Sequence, residues 1–392
     1  MTETKDLNEL VEASVQQVVE WRRQFHEHPE LSYQEEKTSQ FVYETLLSYG
    51  GLEVTRPTRT SVVARLIGER PGKVLAMRAD MDALPIHEES GLSFSSKNPG
   101  IMHACGHDGH TAMLLGAAKI LVQFRDQIDG EIRFIFQHAE ELFPGGAKEM
   151  VEAGVMDGVD EIIGLHLFSM FPTGKIHIGY GPYTANSDVF DIEVIGKGGH
   201  SSQPHVTIDP IAIGAQIVNN IQHIMARNID PLEQAVVSVT EFHGGTAKNI
   251  IPDTIKIGGS VRSFSKDVRE KIAKQLEQIV KGVTEAHQAS YKYDFVYGYT
   301  SVNNDQIVTN KVEGLVLQEF GPEYILQLPP FMGGEDFSAF LEKVPGCFIG
   351  IGAADPNNDV SFPHHHPKFD IDERALGIGL KLLVHAPFHL LK

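Results

Sequence analysis

Two cysteines, Cys105 and Cys347, are too few for a disulfide framework or for a zinc site built from paired Cys-x-x-Cys turns, so a reducing compartment is expected. Basic residues are also scarce. Lys and Arg number 33 against 52 Asp and Glu, and the formal charge of -19 repels a phosphate backbone, which excludes nucleic acid as the expected partner. Long apolar runs are missing as well: the most apolar segment, residues 111–124, falls short of the roughly 20 that a membrane helix needs and contains Lys119. No membrane partner is expected. The opening residues, MTETKDLNELVEAS, have no basic flank leading into an apolar run, so a secretory signal is not expected and the protein is placed in the cytoplasm.

Apolar residues and histidine are what the chain has in quantity. With 42% hydrophobic residues over 392 positions, the chain can build more than one compact core, and 22% charged residues exclude global disorder. Leu7, Leu10, Val11, Val15, Val18, Val19 and Phe25 recur at helical spacing, as do the residues of 38–47. Strands are expected at 61–67, 73–77, 131–137 and 161–165, with helices at 107–124 and 147–153 between them. This alternation predicts an α/β class: a mixed sheet covered by helices on both faces. From about Asn186 the pattern changes to strand 189–195, helix 210–227, strands 234–243 and 254–264, helix 268–287 and strand 291–297. That β-α-β-β-α-β order is the ferredoxin-like unit, read as an insertion at 185–300. The α/β pattern resumes with helix 306–320, strand 347–351 and a terminal helix from Glu373, so the first domain is discontinuous, 1–184 and 301–392.

Of 19 histidines, several stand in clusters. His103-Ala-Cys105-Gly-His107-Asp108-Gly-His110 crowds potential metal donors into a turn before an apolar helix, though a capping loop with Asp108 as N-cap would use the same residues. His138-Ala-Glu140-Glu141 follows an apolar strand, where one carboxylate can bind metal while its neighbour takes a proton from water. His166 closes a buried strand, and His364-His365-His366 lies between Pro363 and Pro367, which bar it from a helix interior. Together these segments offer too many donors for one catalytic ion with an open position, and about the right number for two ions sharing a bridge. The mixed thiolate, imidazole and carboxylate set suits Zn, Mn, Co or Ni rather than Mg or Ca.

These residues resemble the metallo-aminoacylase and carboxypeptidase family, in the branch of hippurate hydrolases, auxin-conjugate hydrolases and bacterial N-acyl-amino-acid amidohydrolases. WRRQFHEHPELSYQE, MRADMDALP, MHACGHDGHTAMLLG, FQHAEE, GLH, GKGGHSSQPH, GGTAKNIIPD, GGEDFSAF and HHHPKFDIDE carry the resemblance along nearly the whole chain. It implies a di-metal aminopeptidase-like catalytic domain whose inserted domain is a lid that also dimerises, in a homodimer or homotetramer. It also implies two divalent transition-metal ions per subunit, with ligands at Cys105, His107, Glu141, His166 and His365, the last two residues before Pro367. Glu140 is then the general base. His200 in Gly-Gly-His-Ser-Ser resembles the histidine that reaches an active site, often that of the partner subunit, to polarise the scissile carbonyl, and Asn249 and Arg262 resemble groups that hold a substrate carboxylate. The wider family has His-x-Asp where this chain reads Asp80-Met-Asp82, which leaves open whether these carboxylates touch metal or buttress its ligands. Asp336 reads as a helix cap and a supporting carboxylate. The implied reaction is hydrolysis of the amide bond of an N-acyl-L-amino acid or a short peptide. The alternatives are a di-metal peptidase on short peptides, a thiol hydrolase with Cys105 as nucleophile, and a metal-storage or binding module.

Overall fold

The structure is a computed structural model and describes residues 2–355, 357 and 361–391. The chain divides into two compact units, Met1–Tyr183 with Val302–Pro329 and Asp336–Lys392, and Thr184–Ser301 with Pro330–Glu335.

The first unit opens with helices α1 (Thr2–Glu27) and α2 (Glu36–Ser48), followed by strands β1 (Glu53–Thr55), β2 (Val62–Ile67) and β3 (Arg70–Asp80). Helix α3 (His107–Leu121) leads to β4 (Asp129–Gln137), α4 (Gly146–Glu152), β5 (Glu161–Pro172) and β6 (Ile176–Ile178). With strands 325–326 and 346–354 these form one eight-stranded sheet, in the order β1, β2, β4, β3, β5, 346–354, β6, 325–326. β3 runs parallel to both β4 and β5, whereas β2 is antiparallel to β4, so the sheet is mixed. Helix α3 is buried all round except at Lys119, its run from Ala112 to Leu121 being otherwise free of polar side chains. Leu165 and Leu167 of β5 reach toward the positions of Gly379 in the terminal helix and Gly109 in α3, while Gly164, one residue out of phase, lies against Phe337. Successive β5 side chains therefore meet helical segments on opposite faces of the sheet.

The second unit has a four-stranded antiparallel sheet in the order 235–244, 254–263, 186–195, 290–299, with helices Pro210–His223 and Lys266–Ala286. Its own core gathers Phe190, Ile192, Ile217, Ile257, Ile272 and Leu276. Residues 330–335 join this unit because Phe331 bridges Thr184 and the Ala185 N–H donates to the Gly333 carbonyl (2.9 Å). Among the described residues, no helix is long and apolar enough to cross a membrane.

Candidate metal centre

Strand order brings the donors together. β4 and β5 flank β3 on opposite sides, so the chain leaves β3 for one neighbour and crosses to the other, and a crevice opens beyond the carboxyl ends of the strands. β3 ends at Asp80 and continues into Asp82, β4 ends at Gln137 and continues into Glu140 and Glu141, and β5 carries His166. The turn before α3 supplies Cys105 and the first residue of α3 supplies His107, with Gly106 between them at φ 92, a conformation that disfavours any side chain.

Donor atoms of Cys105, His107 and Glu141 lie within 4.8 Å of one another, and Cys105 forms a second such group with His166 and His364. Cys105 Sγ is 3.5 Å from His166 Nε2, and His365 Nε2 is 3.0 Å from Glu141 Oε1. All five residues expected as ligands thus gather around one point, with Cys105 common to both groups. His364 converges there too, although its spacing to Pro367 passes it over.

Asp82 backs His107. His107 Nδ1 donates to the Asp82 carbonyl (2.9 Å) with Asp82 Oδ1 at 3.3 Å, while Nε2 is buried and has no hydrogen-bond partner among the described residues. An imidazole fixed on one nitrogen by a carboxylate-bearing residue and left open on the other is the usual disposition of a metal-binding histidine. Asp82 Oδ2 also accepts from Ser32 Oγ (2.7 Å) and from the Glu141 N–H (3.0 Å), so one carboxylate ties two candidate ligands together. Asp82→Asn is expected to weaken metal affinity by about 10- to 100-fold, read by competition with a metal indicator. Unchanged affinity would remove Asp82 from this role.

Asp80 does something else. Its Oδ1 accepts from His110 Nδ1 (2.6 Å) and its Oδ2 from Arg78 Nη1 (2.6 Å). The Leu167 N–H donates to His110 Nε2 (2.8 Å), so both His110 nitrogens are engaged and His110 buttresses rather than binds. Arg78, fully buried, also donates to Gln137 Oε1 (2.7 Å) and Asp336 Oδ1 (3.0 Å). Its position at the end of an apolar strand, two residues before Asp80, is a sequence signal for a charge that neutralises carboxylates, and the expected site residues do not include it. Asp336 does not cap the helix that follows it: Ser338–Leu341 starts from Phe337 without a side-chain cap. Drawn toward Arg78, the Asp336 carboxylate instead accepts the Ala147 N–H (3.0 Å) in the first turn of α4. Asp108 is likewise no N-cap, since Gly106 holds that position and Asp108 Oδ2 accepts from Arg22 (3.1 Å) and pairs with His26 (2.8 Å).

The electrostatics favour a cation. Burial disfavours a charged His107, but Asp80, Asp82 and Glu141 outweigh it and push the imidazole up to about 10. Desolvation, aided by Glu141, Glu140 and Asp80, pushes the Cys105 thiol well above its usual range. Burial at Cys105 and neighbouring carboxylates at His107 thus hold a proton on each, a place that a metal ion can take. Burial and neighbouring imidazoles hold His166 well below its ordinary value and His364 down to about 3, which leaves both as neutral nitrogen donors.

The remaining expected residues lie in the second unit. His200 pairs in register with Ile250, and the Ser201 N–H donates to the Asn249 carbonyl (3.1 Å), so the His200 and Asn249 segments adjoin. The Ser202 N–H donates to His200 Nδ1 (3.1 Å), which places the ring proton on Nε2. Arg262, half-buried, rests Nη1 on the carbonyls of Asp188 (3.3 Å) and Val261 (3.0 Å).

The profile of Peptidase family M20/M25/M40 matches residues 76–388. An N-acyl-L-amino acid amidohydrolase of Geobacillus stearothermophilus is 62% identical over 300 residues, 76% of this chain and 81% of that protein. Thermostable carboxypeptidase 1 of Saccharolobus solfataricus is 44% identical over 390 residues, 97% of this chain and 98% of that protein. Among solved structures, the Bacillus subtilis YXEP protein, described as a dinuclear metal binding peptidase from the M20 family, superposes with a TM-score of 0.84 at 35% identity, covering 97% of this chain and 99% of that one.

Proposed function

The chain belongs to Peptidase family M20/M25/M40, and on that premise we propose that it is a metal-dependent amidohydrolase that cleaves N-acyl-L-amino acids to a carboxylate and a free amino acid. One observation carries this reading: Cys105, His107, Glu141, His166 and His365 converge from separate segments, with Glu140 beside Glu141 past the end of β4. The donor set would hold two divalent transition ions of the Zn, Mn, Co or Ni type through Cys105, His107, Glu141, His166 and His365, and YXEP is itself described as dinuclear. When bound, such ions supply Lewis-acid polarisation and lower the pKa of water.

The chain's own groups do the rest. The Glu140 carboxylate accepts the proton of the attacking water and returns it to the leaving nitrogen. His200, protonated on Nε2, donates to the carbonyl oxygen as negative charge develops on it. Asn249 and Arg262 hold the substrate carboxylate, the latter through its guanidinium fork. We assign the protein to the cytoplasm and its inserted unit to lid and dimer contacts in a homodimer or homotetramer. A second reading, peptidase activity on short peptides, draws on the relative named as a carboxypeptidase.

A screen of N-acetyl- and N-benzoyl-L-amino acids against dipeptides, on protein of measured metal content, tests the proposal. The expected result is kcat/KM at least about tenfold higher for an N-acyl-L-amino acid than for any dipeptide. The reverse order would establish the peptidase reading. No turnover of either class with two metals bound would overturn both and leave a binding or storage protein.

A further inference from the structure

The segment that joins α1 to α2, His28 to Glu35, is used by none of the chemistry above, yet it reaches the site at two points. Ser32 Oγ donates to Asp82 Oδ2 (2.7 Å), and Glu35, fully buried, places its carboxylate under the turn that follows β4. Glu35 Oε1 accepts from the Ala139 N–H (2.7 Å) and the Tyr33 N–H (3.0 Å), and Oε2 accepts from Thr60 Oγ1 (2.9 Å). Ala139, fully buried, sits at φ 50 in the left-handed region. Residues with a side chain persist there only where their surroundings hold them.

That left-handed residue separates the strand from Glu140. Its carbonyl is held from the far side by the Gly146 N–H (2.9 Å), in a fit so close that a Cβ at Gly146 would lie 1.9 Å from the His138 carbonyl oxygen. One residue past Glu140, the Glu141 N–H is held by Asp82 Oδ2 (3.0 Å). The amides on either side of Glu140 are therefore each fastened to a buried carboxylate, one from the His28–Glu35 segment and one from the end of β3.

We propose that Glu35 is a positioning residue for Glu140: its carboxylate locks the left-handed turn at Ala139 and so sets where the Glu140 carboxylate stands. The inference rests on the general-base role proposed for Glu140. Glu35 acts by reach and hydrogen-bond acceptance, with no proton exchanged with substrate. Two substitutions separate reach from charge. Glu35→Gln keeps the length and an amide oxygen for Ala139 and Tyr33, and its NH2 group can donate to the Thr60 hydroxyl. Glu35→Asp keeps the charge and shortens the side chain by one methylene.

The test measures kcat and KM for N-acyl-L-amino acid hydrolysis on the full metal-loaded chain, with metal content and Tm for each variant. Glu35→Gln should stay within about threefold of the parent kcat, while Glu35→Asp should lose about tenfold or more in kcat, with KM within about twofold and both metals retained, because a misplaced base is felt in the chemical step. Parent kcat in Glu35→Asp would overturn the proposal. So would a loss in Glu35→Gln as deep as in Glu35→Asp, which would show that reach and hydrogen-bond acceptance do not account for the role, or a loss explained by missing metal. These failures are distinct from failure of the site assignment, which shows instead as near-normal turnover in Glu140→Gln.

Discussion

Glu140→Gln is expected to retain metal and to lower kcat by about 10²-fold or more, the scale of a lost general base. The substitution is nearly isosteric and leaves Cys105, His107, Glu141, His166 and His365 in place, so metal content by mass spectrometry should not change. What disappears is the proton acceptor. Glu140 is buried at 7% exposure, so bulk water is a poor substitute for its carboxylate at that point. Loss of kcat with unchanged KM and full metal content is the result that supports the assignment. Turnover close to that of the parent would sink it, and loss of metal would show that Glu140 is a ligand.

Removal of metal is expected to have an effect at least as large, and it carries a proton signature. Without metal, carboxylates outweigh burial to hold the proton on His107 up to about 10, and desolvation beside Glu141 and Glu140 holds the Cys105 thiol protonated well above neutrality. A bound ion needs a thiolate and a neutral imidazole, so binding near pH 7 should release about two protons. Apparent metal affinity should accordingly rise with pH through the neutral range and fall on acidification. Calorimetry in buffers of different ionisation enthalpy reads this count, and chelation followed by re-addition should abolish and then restore hydrolysis.

The same shifts weigh against Cys105 as a nucleophile, because a nucleophilic thiol needs a depressed pKa and this environment raises it. Activity that survives complete chelation and is destroyed by iodoacetamide would reinstate the thiol mechanism. Cys347 is an internal control: fully buried in strand 346–354, with its thiol pushed by burial up to about 12, it should not react in the folded protein.

Much of the fold was legible because its signals are local. The apolar spacing of 7–25 lies within α1, and the alternation in 254–264 overruns the strand Thr254–Ser263 by one residue. Short elements gave no such signal. β6 has three residues and strand 325–326 has two, too few for any period to register, and both join the sheet through neighbours distant in sequence. β5 was expected to end at Leu165 but continues to Pro172, because pairing with strand 346–354 carries it through Leu167 and Phe168.

For the site, the clustering of His, Cys and Glu pointed to a metal centre, and the family resemblance singled out Cys105, His107, Glu141, His166 and His365 as expected ligands with Glu140 as expected base. What they could not decide is which partner each side chain takes, since that depends on strand order and register between distant segments. Asp80 and Asp82 are two residues apart on one strand end, yet one goes to Arg78 and His110 and the other to His107, Ser32 and the Glu141 amide. Asp336 finds Arg78 across 258 positions of sequence, and Glu35 finds Ala139 across 104. The candidate donors can thus be proposed from the sequence. The support of the site, which decides what each carboxylate does, exists only once β3 lies between β4 and β5.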